Sequence, residues 1–282
     1  QITYIGNKMI DKFIYLTESA CSLGYTAGFS ILSFEIRWYA LSYILGILLG
    51  QKYINYIIKL NFSKTFITSE LIDKFLIWAI LGILVGGRIG YITFYNIEYY
   101  FNNPFKIFYL WEGGMSFHGG VIGIVISIFL FSTKNNIKFL SLTDLIATAA
   151  PIGIFLGRIS NFLNGELWGR ASEMPWAVKF SKCGGNIYRH PSQLYEAILE
   201  GVVLFVILYF CITKFKHLEN PGKITGLFCI FYALFRIISE LYREPDFQIG
   251  FILANLTMGM LLSIPLLIIG LYLIGHNKRE KI

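Results

Sequence analysis

The chain has 282 residues, of which 55% are hydrophobic and 17% aromatic, whereas only 15% are charged. About a quarter of the residues in a soluble domain are charged, so this composition excludes an ordinary soluble protein and indicates an integral membrane protein. The net charge of +7 suits an anionic bilayer. Because no basic stripe or nucleic-acid-binding module accompanies that charge, nucleic acid is not an expected partner. The four cysteines have no metal-ligand spacing, and neither a metal nor a cofactor is expected.

Long apolar runs predict an all-α fold with about seven transmembrane helices. Residues 1–33 are mixed and aromatic, and we interpret them as an N-terminal interfacial arm. Residues 34–282 then form a single membrane-embedded domain, in which the polar stretch 165–192 is an outer-face segment. The predicted spans are 34–52, 74–97, 113–133, 143–164, 193–213, 224–243 and 250–275.

The basic residues predict which side of the membrane each terminus occupies. If the C-terminus is cytoplasmic, the cytoplasmic segments hold eleven Lys and Arg residues in short loops, against eight in the much longer outer segments. Cytoplasmic loops carry the excess of basic residues in membrane proteins. The distribution therefore predicts the N-terminus outside and the C-terminus in the cytoplasm.

With that orientation, several basic side chains fall in the outer half of the predicted spans. They are Arg37, Arg88, His118, Arg158 and Arg236. An Arg at membrane depth costs roughly 2.5–3.5 kcal/mol on insertion scales, so such a residue faces a cavity or a partner. Arg also binds phosphate through a bidentate fork. Their coincidence in one leaflet indicates a phosphate-bearing ligand, which for a membrane protein means a phospholipid headgroup.

Helical spacing brings some of these residues onto shared faces. Arg158 and Asn161 are three positions apart, and a stripe along the sixth span contains Tyr232, Arg236, Glu240 and Arg243. One interpretation is a wall of a binding site. The alternative is that each Arg snorkels to the interface or pairs with a carboxylate. The candidate carboxylates are Glu35, Glu166, Glu196 and Glu240.

The stretch Gly157–Arg170 reads Gly-Arg-Ile-Ser-Asn-Phe-Leu-Asn-Gly-Glu-Leu-Trp-Gly-Arg. It closely resembles the signature of bacterial phosphatidylglycerol–prolipoprotein diacylglyceryl transferases. Further blocks at 113–120, 189–196 and 235–246 match elements of the same family, and Arg37-Trp38-Tyr39 and Gly87-Arg88 also fit. One departure is Ser160, where the family usually has Gly; because serine is small, we expect close packing to survive.

The resemblance implies a multi-pass protein of the bacterial cytoplasmic (inner) membrane with an active site toward the periplasmic face. It also implies transfer of diacylglycerol from phosphatidylglycerol to the lipobox cysteine thiol of a preprolipoprotein. The products would be a thioether and glycerol 1-phosphate.

Roles for individual residues follow as hypotheses from this chemistry. Arg158 with Asn161 is expected to bind the headgroup phosphate, and Arg236, oriented by Glu240, to stabilise the leaving group or the thiolate. His118 is the candidate general base, because imidazole changes charge near neutral pH, and Glu166 is the alternative. The remaining residues predicted to bind substrate are Tyr39, Arg88, Gly119, Gly169, Tyr232 and Arg243. For Gly119 the alternative interpretation is helix packing.

Two other classes of protein also place arginine at membrane depth. A transporter or flippase for an anionic lipid would show structural repeats or broken helices at the midplane, and the sequence indicates neither. A non-catalytic membrane scaffold would use the polar residues as internal ion pairs. Release of glycerol phosphate from phosphatidylglycerol, dependent on an acceptor thiol, separates the enzyme from both.

Overall fold

The computed structural model describes residues 28–31, 34–60, 67–109, 113–180, 187–245, 250–252 and 256–279. Within these ranges the chain is mostly helical. The helices are α1 (Trp38–Lys59), α2 (Ser69–Tyr95), α3 (Ile97–Asn102), α4 (Phe117–Lys134), α5 (Phe139–Leu163), α6 (Ser192–Thr213), α7 (Lys223–Glu240) and α8 (Met258–Arg279). Short 3-10 turns cover Pro104–Phe108 and His217–Glu219. The strands β1 (Gly28–Ile31) and β2 (Phe34–Arg37) form one antiparallel ribbon, and β3 (Val178–Lys179) and β4 (Tyr188–Arg189) form another.

Five of the described helices, namely α2, α4, α5, α6 and α8, are long and apolar enough to cross a membrane. Their outward surfaces are apolar as well; Ile77 is 63% exposed and Ile268 is 60% exposed. Helices α1 and α7 have 22 and 18 residues and pack in the same bundle, but they fall outside that criterion. The chain is therefore a helical membrane protein, whereas the count of seven spans and the orientation of the termini stay predictions.

The predicted start of the first span is wrong by a few residues. Residues 34–37 were expected to begin the helix, but they form β2 and pair with Gly28–Ile31, and α1 begins at Trp38. The pairing joins β2 to the end of the predicted arm, a contact that apolar periodicity does not report. Residues 1–27 of that arm and the side chain of Glu35 lie outside the described part.

Glycine residues form the contact between α2 and α4. Gly86 and Gly90 on α2 lie against Gly119 on α4, so close that a Cβ at Gly119 would meet the Gly86 carbonyl oxygen and lie 2.9 Å from the Gly90 Cα. Gly82 meets Gly123 in the same way one turn further along, where a Cβ at Gly82 would lie 2.7 Å from the Gly123 carbonyl oxygen. We call this contact the glycine seam. Small residues four apart allow helix backbones to approach closely in membranes.

The bundle has an apolar half and a polar half. Fully buried apolar residues gather where α1 and α6 end and where α5 and α7 begin, and they include Ile57, Leu142, Ile212 and Ile224. In the same half, buried Asp144 on α5 accepts hydrogen bonds from the Gly222 and Thr225 amides at 2.7 Å, and so caps the start of α7. Because α5, α6 and α7 alternate in direction, their opposite ends meet in the other half, where most of the polar residues of the signature lie.

Candidate active site

Two arginines from separate helices converge in the polar half. Arg158 lies in the last two turns of α5, and its Nη1 is 2.7 Å from Glu196 Oε2 on α6. Arg236 lies on α7, and its Nη1 is 2.9 Å from Glu196 Oε1. One carboxylate thus bridges the two guanidinium groups. The side chains of Arg158 and Arg236 are 16% and 13% exposed, whereas that of Glu196 is 1% exposed.

Further ion pairs extend this bridge. Arg158 Nη2 donates to Glu200 Oε2 at 3.1 Å, and Arg236 also pairs with Glu240, four residues later on α7. Arg243, beyond the end of α7, is 3.4 Å from Glu196. We call these six residues the arginine–glutamate cluster. Its members are Arg158, Glu196, Glu200, Arg236, Glu240 and Arg243. Formal charges cancel within it, which allows ions to remain buried.

Glu200 is the member that the sequence interpretation missed. It lies in Ala197–Val203, where α6 changes to π-helical geometry, and its side chain is fully buried. Next to it, a Cβ at Gly201 would lie 2.7 Å from the Cβ of Phe155, so the absence of a side chain lets α6 approach α5 one turn before Arg158. π-Helical segments occur often at functional sites. A carboxylate inside an apolar run was itself a signal, because intramembrane charges are costly.

A second polar group forms around Glu166, just after α5. The Tyr39 hydroxyl on α1 donates to Glu166 Oε1, and the Asn161 amide donates to both the Tyr39 oxygen and Glu166 Oε1, the latter at 3.2 Å. Asn164 Nδ2 also donates to Glu166 Oε1 at 3.2 Å. We call these four residues the Glu166 group. Asn161 follows Arg158 by three residues on α5, so the Glu166 group lies one helical turn further along α5 than the arginine–glutamate cluster.

Ser160, the departure from the family signature, has hydrogen-bonding partners for its extra hydroxyl. The side chain is buried, bonds to Ser42 on α1 and donates to the Trp38 carbonyl oxygen at 3.2 Å. The expected close packing of α1 on α5 therefore holds, with a polar contact in place of a bare glycine backbone.

The described residues of the segment 165–192 close over the ends of α5 and α7. The Gly169 amide donates to the His190 carbonyl oxygen at 2.9 Å, and the Arg170 amide donates to the Tyr242 carbonyl oxygen at 2.9 Å. Gly169 thus lies between two backbones, where an added Cβ would be 2.5 Å from the His190 oxygen. Burial lowers the pKa of His190 and so favours the neutral ring. The backbones of Gly169–Arg170, His190 and Tyr242 are thus hydrogen-bonded into one layer beside Arg243.

A profile of the family described as "Prolipoprotein diacylglyceryl transferase" matches residues 26–275 of this chain. Phosphatidylglycerol–prolipoprotein diacylglyceryl transferases of Rickettsia felis, Rickettsia canadensis and Rickettsia typhi are 52%, 53% and 53% identical to it. These alignments cover 88%, 88% and 87% of this chain and 95%, 95% and 94% of the relatives.

The chain belongs to the prolipoprotein diacylglyceryl transferase family. It is a transferase, and the resemblance found in its signature is confirmed. The ion pairs that the scaffold alternative predicted are present in this transferase, so internal pairing alone does not separate a scaffold from an enzyme.

The predicted site residues of the transferase fall into distinct places. Tyr232 lies one turn before Arg236, where it packs against the apolar core at the edge of the cluster. His118 is exposed in the first turn of α4 and contacts the Phe117 ring, outside both polar groups. Gly119 belongs to the glycine seam, in agreement with the alternative interpretation that it serves helix packing.

Arg88 lies among backbone carbonyl groups. Its Nε donates to Ile107 at 2.9 Å, and its two terminal nitrogens donate to other carbonyl oxygens of the connection between α2 and α4. Those acceptors are Lys106, Tyr109, Gly113 and Gly114. All five donors of the guanidinium have a carbonyl partner. Arg88 on α2 therefore holds the connection that leads to His118 and is not part of the arginine–glutamate cluster.

Proposed function

We propose that this transferase moves the diacylglyceryl group of phosphatidylglycerol to the lipobox cysteine thiol of a preprolipoprotein. The thiol sulfur forms a bond to the phosphate-bearing carbon of the diacylglycerol, the bond from that carbon to the phosphate oxygen breaks, and the thiol proton passes to a base. The products are a thioether and glycerol 1-phosphate. The names of the related Rickettsia enzymes support both substrates. The observation that carries the mechanism is the meeting of Arg158 and Arg236 on Glu196.

In this proposal the two guanidinium groups bind the lipid phosphodiester. Both arginines are partly exposed while their carboxylates are buried, so an anion reaches the guanidinium edges without displacing the carboxylates entirely. The departing phosphate gains negative charge in the transition state, and preorganised cations stabilise it. Glu196 and Glu240 hold the arginines in place before the lipid arrives.

The Glu166 group is proposed to face the headgroup glycerol and the incoming thiol. Tyr39 and Asn161 already bond to one another and to Glu166, so both are oriented before substrate binds. A thiolate is the reactive nucleophile, and a base must take the thiol proton. His118 and Glu166 are the two candidates for that base, and the outer-face segment is proposed to cover the reaction on the periplasmic side of the inner membrane.

The test is transfer by purified variants. Arg158→Ala and Arg236→Ala are expected to lower the rate of transfer to a lipobox peptide by about 100-fold or more, as when a transition-state donor is removed. The measurement is release of glycerol phosphate from phosphatidylglycerol, with and without acceptor thiol. Because each change also leaves a buried carboxylate without its partner, at about 3–5 kcal/mol, thermal unfolding is measured in parallel.

Lys138→Ala provides the matched control, because Lys138 is an exposed cation before the other end of α5. Near-normal transfer by both folded arginine variants would contradict the phosphate-binding role. Release that ignores the acceptor thiol would contradict the transferase chemistry, and movement of intact phosphatidylglycerol without release would favour the flippase alternative.

A further inference from the structure

Glu200 has the weakest contacts of the three carboxylates in the arginine–glutamate cluster. Glu196 lies within 3.4 Å of three arginines, and Glu240 pairs closely with Arg236. Glu200 accepts a hydrogen bond from Arg158 through Oε2 at 3.1 Å. Its other oxygen, Oε1, has no hydrogen-bond partner and lies 3.6 Å from Arg236 Nη1. Glu196 Oε2 also has no hydrogen-bond donor, but Arg158 Nη1 lies 2.7 Å from it, so Glu200 Oε1 is the less stabilised of the two buried oxygens.

The charge balance of the cluster indicates how a bound anion would affect Glu200. Three guanidinium groups and three carboxylates cancel in the resting site. A bound phosphodiester adds one negative charge beside carboxylates that are fully buried. An extra anion in such a place favours the neutral form of the least stabilised carboxylate.

We propose that Glu200 takes up one proton when the phosphodiester of phosphatidylglycerol binds Arg158 and Arg236. This inference rests on the proposed function, since it requires the lipid to bind at those arginines. The proton comes from water and returns to water when the glycerol phosphate leaves. The neutral carboxylic acid can then donate a hydrogen bond through the oxygen that has no partner in the resting site.

The groups around Glu200 support this assignment. Arg158 faces it from α5, Arg236 and Tyr232 face it from α7, and Glu196 precedes it on α6. When the lipid phosphate takes part of the Arg158 and Arg236 guanidinium groups, Glu200 loses its one hydrogen bond, whereas Glu196 keeps its contact with Arg243. Glu200 is therefore expected to take up the proton in preference to Glu196.

Isothermal titration calorimetry tests the proposal directly. Phosphatidylglycerol in detergent micelles is titrated into the full chain at pH 7 in two buffers that differ in ionisation enthalpy. We expect about one proton taken up per lipid bound by the wild type, and about none by Glu200→Gln, which keeps the shape without the charge. Glu70→Gln is the control, because Glu70 is an exposed carboxylate in the first turn of α2, and it should keep the wild-type uptake.

The pH dependence of affinity gives a second readout with a fixed sign. Since the lipid-bound form holds the extra proton, binding weakens as pH rises, by up to about tenfold per pH unit for one proton. Glu200→Gln should lose this slope. If that variant does not fold, Glu200→Asp should still shift the pH at which affinity changes, and an unshifted curve would overturn the proposal.

The outcomes distinguish the two proposals. Wild-type binding without proton uptake, or uptake that persists in Glu200→Gln, overturns the role of Glu200 and leaves the proposed transfer reaction standing. No binding of phosphatidylglycerol by the folded wild type overturns both.

Discussion

Arg158 and Glu200 illustrate how single residues carry the site. Arg158 was predicted to bind phosphate from its depth in the membrane and from the signature around it, and the structure places it beside Arg236. Glu200 stands in an equally apolar run but outside any motif used, and it was not predicted. Depth in the membrane identifies a charged residue as costly, whereas its partner is fixed by helix packing, which a sequence pattern does not report.

The candidate bases differ in their surroundings, and this difference yields a prediction. His118 is exposed, while Glu166 accepts hydrogen bonds from Tyr39, Asn161 and Asn164. If His118 is the base, His118→Gln lowers the transfer rate and changes its pH profile, whereas Glu166→Gln lowers the rate and leaves the profile shape alone. The measurement is initial rate against pH for both variants beside the wild type.

The converse result would assign the proton to Glu166. An unchanged profile in His118→Gln with an altered one in Glu166→Gln would remove His118 from proton transfer and leave it a packing role next to Phe117.

Among the elements, the paired helices α2 and α4 depend most on glycine. Gly119 is in van der Waals contact with α2, while a Cβ on neighbouring Gly120 would meet nothing nearer than 3.7 Å. Gly119→Ala is therefore expected to separate the helices and lower the thermal unfolding temperature, at a typical overpacking cost of about 1–3 kcal/mol. Gly120→Ala should leave it unchanged or slightly raised, since alanine favours helix by about 1 kcal/mol.

Thermal unfolding in the same detergent measures both variants. Equal unfolding temperatures for Gly119→Ala and Gly120→Ala would contradict the seam as the contact that holds α4. A loss of transfer in Gly119→Ala without loss of stability would instead return Gly119 to the substrate-binding residues.

Element boundaries were predicted closely for two of the long apolar runs, whereas the predicted span 250–275 begins eight residues before α8. The spans assigned to α5 and α6 agree with Phe139–Leu163 and Ser192–Thr213 to within a few residues. The ribbon of β1 and β2 and the strand pair of 178–179 with 188–189 were not predicted. Strands of only two to four residues form because a partner strand pairs with them, and the tertiary fold determines where that partner lies.

At the scale of the whole molecule, the polar half and the apolar half define the two ends of the bundle. The predicted orientation puts the polar half, with the outer-face segment, on the periplasmic side. A cysteine at Glu173, which is exposed in that segment, should react with a membrane-impermeant maleimide in intact spheroplasts. A cysteine at Lys138, exposed at the other end of α5, should react only after permeabilisation.

Both substitutions are made in a chain whose four native cysteines are replaced by serine, and that parent is the blank. Labelling of the cysteine at position 138 in intact spheroplasts, with protection at 173, would reverse the orientation and place the transfer chemistry in the cytoplasm.

The arginine–glutamate cluster also affects the stability of single helices as the chain enters the bilayer. Arg158 leaves the ribosome with α5, but Glu200, which neutralises it, follows 42 positions later. Released alone into lipid, α5 would carry an uncompensated guanidinium at roughly 2.5–3.5 kcal/mol. Pairing with Glu196 and Glu200 removes that cost, so α5 is more stable in the bilayer beside α6 than alone.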